Sequence, residues 1–212
     1  MSDGARAAAV VCDDVPGVCR GWISPEPAFM RRASHAVAAG GGVWFVDPVD
    51  EPGMVEACGD LGEPAGVVQL LGRHGRDCAA VAERLGVPHL VVPPAAPEGA
   101  PFRVVPVVRA PGWQEVALVF PGPRTLVVAD ALGAASYFRA PGDPIGVHPL
   151  LRLTLPPRAL RGHDPLHVLC GHGPGLHGPD AAARVEEAIR RARRRIPAWA
   201  WALVTRRGRG RR

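Results

Sequence analysis

Three short stretches place acid–base and metal-binding side-chain types at the ends of strand-like runs. Leu70-Leu71-Gly72-Arg73-His74-Gly75-Arg76-Asp77 carries a histidine and an aspartate in a loop that opens a helix. Leu126-Val127-Val128-Ala129-Asp130 ends an apolar run on a carboxylate. Val168-Leu169-Cys170-Gly171-His172-Gly173 ends another on a histidine flanked by glycines, which allow a tight backbone path. Imidazoles and carboxylates hold divalent metals and move protons. Other chemistries lack their signatures. There is no Gly-x-Gly-x-x-Gly and no phosphate loop. None of Ser2, Ser24, Ser34 and Ser136 has the Gly-x-Ser-x-Gly context of a nucleophile elbow. The five cysteines form no Cys-x-x-Cys pair and read as core residues or free thiols. His35, His89, His148, His163, His167 and His177 share no ligand spacing and read as surface or packing residues. His163 and His167 are four apart, but Pro165 breaks the helix that would pair them.

The elements that must position these groups are legible from pattern. Ser34–Val37 and Gly42–Asp47, joined by a glycine turn, predict a hairpin. The continuous apolar run Val43–Val46 suits a strand buried on both faces. Residues 53–61 suit a short helix. Val67–Leu71, helix 77–85 and His89–Val92 form a β-loop-α-β unit. Strands are predicted at 102–108, 115–120, 125–128 and 166–170. A helix capped by Asp180 is predicted over 181–195, ended or kinked by Pro197. Strand runs with helices interspersed at both ends predict two sheets covered by helices.

Composition permits this and excludes little else. Of 212 residues, 47% are hydrophobic and 21% charged, enough for one domain with a sizeable core. The net charge of +5 is unevenly spread. Residues 184–212 hold 11 Arg against 2 Glu, and the preceding body holds 14 Arg against 18 acids. A tail over 199–212, with Trp199 and Trp201 framed by arginines, is therefore expected apart from the domain at 1–198. Its end is expected to be partly disordered, and nucleic acid is a candidate partner. No signal-peptide layout and no apolar run of membrane-spanning length is present, so the expected compartment is the cytoplasm.

In type and order the three stretches, with Val43-Trp44-Phe45-Val46-Asp47-Pro48 before them, resemble the metallo-β-lactamase superfamily over about residues 21–195. The resemblance implies an α+β fold, the αββα four-layer sandwich, with metal held between two sheets. The family loop reads His-x-His-x-Asp-His, and its positions here hold Gly72, His74, Arg76 and Asp77. Asp130 matches the bridging carboxylate and His172 the final histidine. A further loop histidine is missing from Pro111-Gly112-Trp113-Gln114-Glu115. Glu115 could stand in for it; as a strand residue it is first expected on an edge, paired with an arginine.

The resemblance so implies His74, Asp77, Asp130 and His172 as the ligands available. The first expectation is no metal, and the alternative is one Zn, Mn or Fe ion. Arg76, or failing it Arg73, is expected in the metal's place, paired with Asp130. The implied function is that of a catalytically altered or inactive relative keeping a pocket for a small molecule or protein. A single-metal hydrolase is the alternative, and a nucleic-acid-associated protein the second.

Overall fold

A computed structural model describes residues 8–25 and 30–209. Six strands form the first sheet in sequence order: β1 (Val10–Val15), β2 (Cys19–Ile23), β3 (Ala33–Ala39), β4 (Gly42–Val46), β5 (Pro64–Gln69) and β6 (His89–Val91). The first four pair antiparallel, and β4, β5 and β6 run parallel. The crossover from β5 to β6 is made by α1 (Cys78–Leu85), which stops on left-handed Gly86. The second sheet draws on β7 (Arg103–Ala110), β8 (Trp113–Phe120), β9 (Thr125–Val128), β12 (His167–Cys170) and β13 (Leu176–His177), ordered β13-β12-β9-β8-β7. Between them in sequence, β10 (Leu132–Gly133) and β11 (Gly146–Val147) make a small ribbon followed by α2 (Pro149–Leu153). Two helices close the chain, α3 (Ala181–Arg190) and α4 (Ile196–Arg209).

Period-two alternation decides the layers. Val37, Trp44, Val46 and Val68 join the core shared with the second sheet. Their neighbours Ala36, Val43, Phe45 and Val67 face the other way, onto Cys78, Val81 and Ala82 of α1. The first sheet is thus buried on both faces, as its unbroken apolar strands require. On the far side, α3 lays Ala181, Val185 and Ile189 along one stripe and packs against β12. The layer order is α/β/β/α, and the expected four-layer sandwich is present.

Several boundaries differ from the sequence expectation. The β1–β2 hairpin is not foreseen, because Asp13 and Asp14 interrupt its apolar pattern; Asp13 is nevertheless buried. The helix expected to reach Arg195 ends at Arg190. Pro197 neither ends nor kinks it but stands in the first turn of α4, where its missing N–H is no loss. The 198/199 boundary falls inside α4. There Trp199 Nε1 donates to Tyr137 O at 2.7 Å and Ala202 is buried, while Trp201 is exposed. The far end of the tail, 210–212, lies outside the described residues. Among those described, no helix is long and apolar enough to cross a membrane.

Candidate functional site

The ends of β4, β5, β9 and β12 converge at one rim of the sandwich. Asp47 closes β4 in the left-handed region, at φ 45°. Its Oδ1 accepts from Leu70 N at 2.9 Å and its Oδ2 lies 3.3 Å from His74 Nδ1. The carboxylate therefore fixes both the start of the loop after β5 and the ring that loop carries. Asp130 follows β9, and His172 follows β12. Gly173 has φ +84°, and a Cβ there would lie 2.5 Å from Ala135 N, so the turn beyond His172 needs glycine. The His172 ring stacks on Phe138, and its Nδ1 lies 3.3 Å from Met30 O.

Three groups meet at the centre. His74 Nε2 and His172 Nε2 both approach Asp130 Oδ1, at 3.1 and 3.0 Å. Donor atoms of His74, Asp130 and His172 all lie within 4.8 Å of one another, a grouping able to hold a metal ion. The other oxygen, Asp130 Oδ2, accepts from Arg73 at 2.7 Å. Arg73 stacks over Trp113, 4.4 Å from the ring centroid, and remains 43% exposed. Burial alone would raise the Asp130 pKa. The hydrogen bonds from His172 and His74 outweigh it and hold the carboxyl well below its usual range. For His74, burial disfavours the charged ring, but its bonds to Asp130 and Asp47 prevail and raise its pKa.

Arg76 takes a different place from the one expected first. Its Nη1 donates to Ala33 O and Asp47 O at 2.5 and 2.8 Å, and its Nη2 to Gly171 O at 3.1 Å. One guanidinium so joins the ends of β3, β4 and β12, across both sheets. Among the described residues no carboxylate lies within ion-pair distance of it, and its buried Nε has no partner. Burial depresses its pKa. Asp77 does not join the centre: its Oδ2 accepts from Asp50 N at 2.9 Å.

Glu115 is not an edge residue paired with arginine. It is buried, accepting from Trp113 Nε1 and Ala131 N, both at 2.8 Å. It braces the residue after Asp130. Burial first, then the nearby Asp130 charge, pushes its pKa up to about 7. His148, read from sequence as a surface or packing residue, caps α2 through Nδ1, which accepts from Leu150 N at 3.2 Å. Burial drops its pKa to about 4. A cavity of about 330 Å³ opens over the centre, lined by Arg32, Arg73, Arg76 and His148 around His74, Asp130 and His172. The resemblance points to the residues at its floor. From sequence, Met30-Arg31-Arg32 reads as a charged loop or a frame for the site, and Met30 and Arg32 do line the cavity; His148 carries no sequence signal for it.

No protein-family model matches the chain, and no curated protein matches it by sequence. Solved structures do match by shape. A metallo-β-lactamase from Erythrobacter litoralis is 12% identical, with TM-score 0.54 over 86% of this chain and 92% of that one. One from Pontibacter korlensis is 11% identical, with TM-score 0.55 over 86% and 99%. DIM-1 metallo-β-lactamase exposed to ceftazidime is 11% identical, with TM-score 0.52 over 88% and 98%. Identity this low speaks for architecture alone. On that architecture, and on strand ends that bring His74, Asp130 and His172 together at its rim, the chain has the metallo-β-lactamase fold.

Proposed function

We propose that this chain is a binding protein built on the metallo-β-lactamase fold, with the two-metal chemistry of the rim replaced by a fixed ion pair. The observation that carries the reading is the 2.7 Å contact between Arg73 and Asp130 Oδ2. A guanidinium holds one of the two oxygens of Asp130, the residue that the family resemblance matches to a metal-binding carboxylate. Arg76, at a ligand position of the family loop, offers no donor pair to a metal and adds a second permanent cation. Two ions need more donors than His74, Asp130 and His172 supply. Without activated water, the rim positions a ligand rather than cleaving it.

The convergence of those three side chains favours a second reading. Two imidazoles and one carboxylate suit a single Zn, Mn or Fe ion, with Asp47 behind His74 Nδ1 orienting that ring. Such an ion would supply Lewis acidity and an activated water. In that reading Asp47 fixes the His74 tautomer, Glu115 holds the Asp130 turn, and Arg73 restrains the carboxylate.

Elemental analysis of untagged protein purified without chelator separates the two, followed by zinc titration at neutral pH. The ion-pair reading expects metal well below one per chain and no tight zinc binding. Stoichiometric metal, lost on substituting His74 or His172, would replace it with the single-metal hydrolase.

A further inference from the structure

The cavity over the rim has a charge and a donor pattern of its own. Among the described residues, Arg73 and Arg76 line it with Arg32, and Asp130 is the carboxylate that lines it. Arg76 is the most telling. It is half-buried, and its three hydrogen bonds go to neutral carbonyls; among the described residues the nearby Asp47 and Asp130 carboxylates act on it from beyond hydrogen-bond distance. Arg73 spends one nitrogen on Asp130, and its half-exposed fork makes no other hydrogen bond among the described residues. His148 contributes a third kind of group. Its Nδ1 accepts from Leu150 N, so in the neutral ring the proton is on Nε2. That Nε2 has no hydrogen-bond partner among the described residues, and the ring lines the cavity.

We infer that this cavity binds the oxyanion head of a small metabolite, a phosphate or carboxylate group, held by Arg73 and His148 Nε2 beside the Arg76 charge. The inference rests on the ion-pair reading of the rim and names its ligand class. A fork of N–H donors, a neutral donor and a second cation make a site for negative charge. The volume of about 330 Å³ leaves room for only a small body behind the head group. Arg73 can serve both Asp130 and the ligand, because a guanidinium presents two edges.

The test is calorimetric titration of the full chain, first checked for metal content, with inorganic phosphate and separately with succinate. Chloride at matched ionic strength is the control. Saturable binding of either anion at one site per chain is expected. Phosphate alone would mark a phosphoryl ligand, and succinate alone or both a carboxylate-tolerant one; each upholds the inference. Arg73→Gln should weaken binding about tenfold or more, the loss of one charge-assisted contact. His148→Asn, which keeps an oxygen to cap α2 but falls short of the cavity, should weaken it less. No saturable binding of either anion to metal-free protein would overturn the inference and leave the ion-pair reading standing. Binding indifferent to both substitutions would overturn it as well. Stoichiometric metal with anion binding abolished by chelator would instead overturn the ion-pair reading.

Discussion

Two buried aspartates in this molecule are surrounded by histidine, and they do different things. Asp130 is met by His74 and His172 at a rim that opens into a cationic cavity. Asp13, on β1, accepts from Gly175 N at 2.7 Å, from His177 Nε2 at 2.9 Å and from Cys12 Sγ at 3.1 Å. His177 in turn lies 3.0 Å from His167, Nδ1 to Nδ1. The second cluster ties the first hairpin to β13 and the turn before it, so it fastens one sheet to the other. Its donors are a histidine, a thiol and a backbone amide, and no arginine pairs with it among the described residues. The lesson is that an Asp–His contact does not make a site. What distinguishes Asp130 is the surplus of positive charge and the space beside it.

Three experiments sharpen that contrast. Arg76→Ala should have the largest effect. It removes charge-assisted bonds to three strand-end carbonyls and leaves a void between the sheets, at a cost of about 2–4 kcal/mol in denaturant melts. A variant as stable as the parent would mean that Arg76 does not hold the rim together.

Asp13→Asn comes next, at about 1.5–3 kcal/mol, because it weakens bonds to a buried charge. Its pH dependence checks the cause. Burial pushes the Asp13 pKa up, but the bonds from His177 and Gly175 and the nearby His35 prevail, and the net shift is downward. A folded pKa below the unfolded one means the unfolded chain binds the proton more readily. The stabilisation is then complete above the ordinary carboxylate pKa of 3.8 and lost as pH falls through the folded value. The gap between parent and Asp13→Asn should be constant near neutrality and shrink in acid; a gap that widens in acid would reverse the assignment. Phosphate binding should be the same in both proteins, since Asp13 is not at the cavity.

His167→Gln should be the mildest. Its ring bonds His177 at the exposed end of the cluster, so stability should move by about 0.5 kcal/mol or less. A larger loss would show that the relay from His167 to Asp13 bears on the sheet junction.

The unbroken apolar run Val43–Val46, the helical period over 77–85 and the residue types at strand ends are local, so the sequence carries them directly. They predict two sheets covered by helices; the family resemblance adds the four-layer order and the meeting of His74, Asp130 and His172. Asp13 escapes such reading because its partners His177 and Gly175 are more than 160 residues away. Glu115 escapes for a related reason: an acid in a strand suggests an exposed edge until Trp113 and the Ala131 amide are seen to satisfy it. The same limit applies to the arginines. Sequence presents Arg73 and Arg76 as two cations in one loop, interchangeable in charge. Only the tertiary structure sets their backbones so that one guanidinium reaches Asp130 and the other threads between the carbonyls of Ala33, Asp47 and Gly171. Periodicity fixes which face a residue takes. Which partner a long charged side chain finds depends on distances between strand ends that only packing sets.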